Sequence, residues 1–125
     1  MLKYIYILLG GAIGSVLRFA LGDYLSLRYT GVFPIGTLTI NLLGSLLIGL
    51  LYGIFSVNGV LDEKLRWFLF IGFLGGFTTF SAFALENMKL WSSGEVGISL
   101  LYILLSNTFG IGFAFLGYYI GSSIK

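Results

Sequence analysis

The distribution of charged residues restricts this chain to one broad class of fold. The stretch 4–22 holds a single charge, at Arg18, and the stretches 29–61, 67–85 and 96–124 hold none. Each stretch is about as long as the ~20 apolar residues with which a helix crosses a bilayer. Hydrophobic residues make up 58% of the 125 residues, more apolar surface than a soluble domain of this length could bury. We therefore expect an all-α membrane protein with four transmembrane helices.

The charges also suggest where these helices begin and end. The expected helices, within a single transmembrane domain of residues 1–125, are about 4–22, 35–55, 67–88 and 96–122. Their connections are short, so we expect no separate soluble domain. A cleavable signal peptide is not expected, because no small-residue cleavage site and polar mature domain follow the first span.

The third apolar stretch contains a sequence that disfavours a continuous helix. Residues 75–83, GGFTTFSAF, combine two adjacent glycines with two threonines and a serine. A glycine weakens a helix interior by about 1 kcal/mol relative to alanine. At membrane depth, backbone outside a helix is tolerated only where protein buries it or where it lines a wet cavity. The sequence therefore predicts a break near residues 75–79, at a binding or conduction site.

The composition excludes several kinds of chemistry. Cysteine and histidine are absent, which rules out disulfides and removes the usual zinc ligands. The sequence has no nucleophile–base pair, no metal-ligand cluster and no phosphate-binding loop, so enzyme activity is not expected. In a membrane protein the net charge of +2 is a guide to topology, and nucleic acid is not expected as a partner.

Lysines and arginines near span ends set the orientation of a membrane protein. Four cations lie on the side of the N terminus: Lys3, Lys64, Arg66 and Lys125. Three lie on or near the other side: Arg18, close to the end of the first span, Arg28 and Lys89. This difference is too small to favour one orientation strongly. A chain without a bias can insert both ways and assemble as an antiparallel pair, the second copy acting as an inverted repeat. A weak preference for one orientation is the alternative.

The polar side chains within the spans are mainly hydroxyls and one amide. They are Asn41 in the second span, Thr78, Thr79 and Ser81 in the third, and Tyr102 and Ser106 in the fourth, where Gly110 completes an i, i+4, i+8 stripe. Such groups can donate hydrogen bonds to an anion that loses its water, and aromatic rings can present positively polarised edges. Each also has a structural explanation, because amides and polar stripes join membrane helices and phenylalanines fill cores.

Two further features could bind ions. Arg18 either reaches the headgroups from the end of the first span or points into a water-filled vestibule that attracts anions. Carbonyls of unwound backbone, such as those of Gly75 and Thr78, lack helical partners and can coordinate an alkali cation. A cation held there would link two copies of the chain.

Taken together, these segments resemble the Fluc (CrcB) family of fluoride channels. The matching segments are GGAIGSVLRF (10–19), GTLTINLLGS (36–45), GFLGGFTTFSAF (72–83) and the pair Tyr102 and Ser106. The third segment is the most specific, and the similarity covers essentially the whole chain. The resemblance implies an antiparallel, dual-topology homodimer with two pores. Such a protein would export fluoride passively across the cell inner (plasma) membrane and so protect the cell.

The resemblance also implies roles for individual residues. Pore contacts for fluoride would come from Asn41, Phe80 and Phe83, with Thr79 close by, Tyr102 and Ser106 in a polar track, and Arg18 in the vestibule. Backbone carbonyls of Gly75 and Thr78 from both copies would hold a structural Na⁺. Glu86 would lie just beyond the phenylalanines, with its role left open. Two positions, Ala82 and Gly110, lack a hydroxyl that many family members carry.

Two other function classes remain open from the residues alone. A small dual-topology multidrug or cation exporter is the main alternative, but a proton-coupled cation exporter needs a membrane-embedded carboxylate. Apart from Glu86, the spans hold none. A non-transporting assembly subunit would explain the glycine-rich helix faces but not the break. Selectivity for fluoride over chloride rests on the resemblance alone.

Overall fold

The computed structural model describes residues 1–59 and 61–124 and contains four long helical spans. Three spans are continuous helices: α1 (Leu2–Arg28), α2 (Ile35–Asn58) and α6 (Val96–Ser123). The third span comprises α3 (Glu63–Arg66), a π-helical segment (Trp67–Leu74), α4 (Gly75–Phe77) and α5 (Phe80–Ser92). All four are long and apolar enough to cross a membrane, with lengths of 24 to 30 residues. The predicted all-α fold with a broken third helix is therefore confirmed. Lys125, counted in the charge balance, lies outside the described residues.

Proline and glycine mark the ends of the spans. α2 begins directly after Pro34, whose ring fixes φ near the helical value. It ends at Gly59, which has a left-handed φ of 85° that only glycine adopts without strain. α1 continues to Arg28, six residues beyond its expected end, because residues 23–28 contain neither glycine nor proline.

Glycines bring α1 into backbone contact with the third span. A Cβ atom at Gly10 would lie 2.2 Å from the carbonyl oxygen of Phe68, and one at Gly14 would lie 2.1 Å from that of Phe73. Phe68 and Phe73 are five residues apart, the spacing of one hydrogen bond in a π-helix. Their carbonyls contact glycines that are four residues apart in the α-helix α1. Any larger side chain would separate the helices. The glycine face of the first span therefore serves helix packing.

The helices α2 and α6 pack on each other in the same way. A Cβ atom at Gly49 would lie 2.0 Å from the carbonyl oxygen of Ala114, and one at Gly117 would lie 2.2 Å from that of Leu46. These contacts run along one face of each helix and hold α2 and α6 at a fixed separation. The two rigid pairs, α2 with α6 and α1 with the first part of the third span, frame the break.

A small apolar cluster lies where α2, α5 and α6 meet. Its buried members are Leu38, Leu90 and the fully enclosed ring of Tyr102. Phe83 packs against this cluster from the start of α5. Large apolar side chains elsewhere on the four spans are exposed in the single chain, as on a protein that faces lipid or another subunit.

Candidate functional site

Two extended residues, Thr78 and Thr79, separate the two parts of the third span. Their φ and ψ angles are −85° and 159° for Thr78, and −151° and 122° for Thr79. We call residues 63–77 the first half-helix and α5 the second half-helix. The Thr79 hydroxyl accepts a hydrogen bond from the backbone N–H of Ala82 at 3.2 Å and so caps the second half-helix.

The break occurs at the threonines rather than at the glycine pair that was expected to weaken the helix. Gly75 and Gly76 are both helical. Gly76 is required for packing instead, because a Cβ atom there would lie 2.5 Å from the carbonyl oxygen of Gly11 in α1. The break nevertheless lies within the predicted residues 75–79, and Gly76 has a packing role in addition to its low helix propensity. A glycine that permits close packing looks the same in a sequence as one that interrupts a helix.

Asn41 of α2 pairs with the backbone of the break through both ends of its amide. Its Nδ2 donates to the carbonyl oxygen of Thr79 at 2.9 Å, and its Oδ1 accepts from the Thr79 N–H at 2.9 Å. One turn further along α2, Gly44 makes room for the break, because a Cβ atom there would lie 2.1 Å from the Thr78 methyl carbon. We call the paired hydrogen bonds of Asn41 and Thr79 the Asn41 clamp. The amide joins helices while its second Nδ2 proton stays available.

The same contacts leave two backbone carbonyls without helical partners. In a continuous helix the N–H of Thr79 would bond to the Gly75 carbonyl, and that of Ala82 to the Thr78 carbonyl. Here the first N–H is taken by Asn41 and the second by the Thr79 hydroxyl. No described residue replaces either donor. The carbonyls that the sequence singled out are therefore free to accept a ligand.

Arg18 of α1 occupies the other side of the break. Its Nε donates to the carbonyl oxygen of Gly76 at 2.9 Å, so a cation lies at the negative C-terminal end of the first half-helix. Arg18 also lines a cavity of about 530 Å³ together with Asp23, Thr79 and Glu86. The guanidinium thus faces a polar cavity next to the break instead of reaching away from the protein.

The two phenylalanines lie at the start of the second half-helix in different environments. Phe80 is 78% exposed, although it follows a buried part of the span. Its ring centroid lies 5.5 Å from that of Phe83, which meets the Tyr102 ring edge-on at 4.9 Å. A second cavity of about 400 Å³ is lined by Asn41, Phe80 and the residues of the break. An exposed ring beside a cavity that also holds the Asn41 amide is not explained by packing within one chain.

Glu86 is held by two hydroxyl groups from neighbouring helices. The Tyr102 hydroxyl donates to one carboxylate oxygen at 2.8 Å, and the Thr37 hydroxyl donates to the other. The network therefore joins α5 to α6 and to α2. Thr37 was not among the predicted site residues, although it lies four residues before Asn41 and so on the same face of α2.

The remaining positions of the fourth-helix stripe are Ser106 and Gly110. The Ser106 hydroxyl is buried and has no hydrogen-bond partner among the described residues. A Cβ atom at Gly110 would lie 3.8 Å from the Ser45 hydroxyl oxygen, so this position points to α2. Ser106 does not line either cavity near the break.

A polar pair between α5 and α6 was also missed. The Ser99 hydroxyl donates to the amide oxygen of Asn87 at 2.9 Å, and Ser99 is only 1% exposed. Nothing in the sequence distinguishes these two residues from other polar residues near helix ends, because their pairing depends on how α5 and α6 turn back on each other.

Comparison with known proteins gives a consistent result over the whole chain. Residues 5–118 match the family model described as "CrcB-like protein, Camphor Resistance (CrcB)". A protein of Thermus thermophilus is 45% identical over 122 residues, covering 98% of this chain and 95% of its own length. A protein of Parabacteroides distasonis is 43% identical, covering 99% and 96%, and one of Methylobacillus flagellatus is 45% identical, covering 94% and 93%. All three relatives are named "Fluoride-specific ion channel FluC".

Proposed function

The chain belongs to the CrcB-like family, and from this premise we propose that it is a fluoride-selective channel that exports fluoride passively across the cell inner (plasma) membrane. The names of its relatives support an ion channel rather than an enzyme. The observation that carries the proposal is the cavity beside the break, where the Asn41 amide and the exposed Phe80 ring meet. These neutral groups can replace the water of a small anion without holding it as tightly as a buried cation would.

The proposed path of the anion uses polar groups on both sides of the break. Arg18 attracts fluoride into its cavity by its positive charge. Its Nε is bonded to the Gly76 carbonyl, but the other N–H groups of the guanidinium can donate to the anion. Thr79 lies between this cavity and the one lined by Asn41 and Phe80. We place Asn41, Phe80 and Phe83 at the narrow part of the path.

We propose that Tyr102 and Ser106 continue this path along α6. Ser106 supports this role because its buried hydroxyl lacks a partner among the described residues, which is costly unless a ligand or water binds it. Tyr102 contributes through its ring edge beside Phe83 and through its bond to Glu86. The Glu86 carboxylate accepts hydrogen bonds from the Tyr102 and Thr37 hydroxyls and so ties α5 to α6 and to α2 beside this path.

We propose that the working unit is an antiparallel, dual-topology homodimer. The near balance of cations at the two ends of the spans supports insertion in both orientations. Phe80 is 78% exposed and Gly75 has open space around it, so the break lies on the surface of the single chain. Non-helical backbone at membrane depth must be covered by protein or water. A second copy would cover it and complete the pore.

We further propose that a Na⁺ ion binds between the two copies at the free carbonyls of Gly75 and Thr78. These carbonyls fit an alkali cation because they are unpaired neutral oxygens at the negative end of a half-helix. When bound, the ion would offset the partial charges of these carbonyls. Dimer stability measured in detergent should fall when Na⁺ is replaced by N-methylglucamine. Equal stability in both buffers would contradict the site.

Fluoride efflux from proteoliposomes tests the proposed function directly. Vesicles loaded with fluoride or chloride are supplied with valinomycin to carry the counter-charge, and release is followed with ion-selective electrodes. Rapid fluoride release with negligible chloride release is expected. Similar release of both ions would leave an anion pathway without selectivity, and no release from folded protein would refute the channel.

Phe80→Ile separates conduction from packing. Isoleucine keeps an apolar side chain but removes the ring edge that an anion could contact. Since Phe80 is 78% exposed, folding should be unaffected while fluoride release falls at least several-fold. Normal release by the folded variant would remove Phe80 from the pathway.

A further inference from the structure

The second half-helix is detached from the first by the break, so its rotation about its own axis must be set by other contacts. At its start, the Asn41 clamp and the Thr79 cap hold only the first residues. At its end, a short turn leads into α6, where the N–H of Glu95 donates to the Leu90 carbonyl at 2.8 Å. Between these ends, the contacts with α6 decide which way the Phe83 ring faces.

One hydrogen-bonded chain connects the backbone of Phe83 to α6. The Asn87 Nδ2 donates to the Phe83 carbonyl at 2.8 Å, one turn earlier in the same helix. Because a carbonyl can only accept, this bond orients the amide so that Oδ1 faces α6. The Ser99 hydroxyl donates to that oxygen at 2.9 Å. A hydroxyl on α6 is thereby connected, through one amide, to the residue whose ring contacts Tyr102.

Ser99 behaves differently from serines whose hydroxyls bond within their own helix. Ser26, Ser56 and Ser122 each donate to a carbonyl three or four residues earlier, the usual arrangement for a serine in a helix. Ser99 instead reaches another helix while being only 1% exposed. Most buried polar groups in proteins are paired, and Ser99 finds its partner only on α5. The contact is therefore specific to the geometry between α5 and α6.

The contact lies on the same face as the proposed anion contacts. Ser99 and Tyr102 are three residues apart on α6, and their partners Asn87 and Glu86 are neighbours on α5. The Glu86 bond is shared with Thr37 of α2, so it ties three helices together. The bond between Asn87 and Ser99 involves α5 and α6 and no third helix.

From this geometry we propose that Asn87 and Ser99 are a pair of positioning residues that set the rotation of the second half-helix and so aim the Phe83 ring at the fluoride path. This inference rests on the proposed fluoride conduction. The pair does not touch the anion, and it acts through Phe83. Its loss lets α5 rotate, so that the ring edge no longer meets the path and both fluoride flux and discrimination against chloride decrease.

Ser99→Ala and Asn87→Leu each remove one member of the pair. Matched controls are Ser56→Ala and Asn58→Leu. Asn58, like Asn87, donates to a carbonyl four residues earlier, and Ser56 donates to the Gly53 carbonyl, but neither residue bonds to another helix. For each variant we would measure fluoride and chloride release from proteoliposomes, and thermal unfolding in detergent. The pair variants should lower the fluoride-to-chloride release ratio by at least about twofold, the smallest effect expected for one coupled contact. The controls should keep the ratio.

The double variant completes the test. If the two residues act as one unit, Ser99→Ala combined with Asn87→Leu should lower the ratio no further than either single change. Losses that add, or a lower flux with an unchanged ratio, would show only a contribution to folding and overturn the positioning role. If Asn87→Leu does not fold, Asn87→Ala replaces it in the cycle. Absence of fluoride release from the unaltered protein would refute the proposed function, whereas normal release by all variants would refute only this inference.

Discussion

Asn41→Asp changes one atom of the clamp on the break. The amide nitrogen that donates to the Thr79 carbonyl at 2.9 Å becomes an oxygen, so that an ionised aspartate places two acceptors face to face. The other bond survives, because a carboxylate oxygen still accepts from the Thr79 N–H. The substitution also places a negative charge beside the cavity proposed to carry an anion.

The geometry gives the size of the effect. A buried acceptor left unsatisfied costs about 1–3 kcal/mol. That cost lowers the fraction of molecules in which residue 41 holds the break by about 5- to 150-fold. Repulsion between the carboxylate and the entering anion acts in the same direction. Fluoride flux should therefore fall by at least about fivefold, since each 1.4 kcal/mol corresponds to a factor of ten.

Proteoliposome efflux at pH 7 measures the result, with Asn58→Asp as the control. Asn58 lies on the same helix, is exposed, and bonds only to the Ile54 carbonyl of its own helix. Its replacement should leave flux unchanged. Undiminished flux in Asn41→Asp would refute both the clamp and the placement of Asn41 in the pathway. An equal loss in both variants would indicate a general effect of charge.

Two further substitutions test the surroundings of the break. Gly44→Ala places a Cβ atom 2.1 Å from the Thr78 methyl carbon and should reduce thermal stability by about 1–3 kcal/mol through overpacking. Gly112→Ala, with no atom within 4 Å, should cause no loss, and equal stability of the two variants would contradict the tight fit. Tyr102→Phe keeps the buried ring but removes the donor to Glu86, and should cost about 1.5–3 kcal/mol in denaturant unfolding. An unchanged unfolding midpoint and slope would show that this bond does not stabilise the fold.

The overall fold could be predicted because lipid imposes simple demands on a sequence. The charge-free stretches indicated the four spans, since a membrane helix needs a long apolar run. The break near residues 75–79 could be predicted because a glycine pair, two threonines and a serine interrupt the apolar run. Its exact place could not, because Gly76 and the threonines all appear as interruptions of apolar sequence. Only the approach of Gly11 in α1 shows that Gly76 is there for packing.

The partners of the polar residues were beyond sequence reasoning for a geometric reason. Asn41 and Thr79 are 38 residues apart, and their pairing depends on the rotation of α2 relative to the break. Composition can indicate that Asn41 needs a partner in the membrane but not which one. The pairing of Asn87 with Ser99 was missed because it depends on how α5 and α6 turn back on each other.

The break is held from two sides, and this arrangement makes a last prediction about Arg18. Its Nε donates to the Gly76 carbonyl, so the proposed Na⁺ has only the neighbouring carbonyls of Gly75 and Thr78 to bind. Arg18→Lys keeps the charge but removes the Nε donor, so a third carbonyl loses its partner at the negative end of the first half-helix. The variant should therefore depend more strongly on Na⁺ than the unaltered protein, measured as the shift of the unfolding temperature between buffers with Na⁺ and with N-methylglucamine. Arg28→Lys is the matched control, because Arg28 is exposed at the end of α1 and stacks on Tyr24. An unpaired Gly76 carbonyl adds negative partial charge at the break, so Na⁺ should stabilise Arg18→Lys more than Arg28→Lys. The same Na⁺ dependence in both variants would refute the link between Arg18 and the cation.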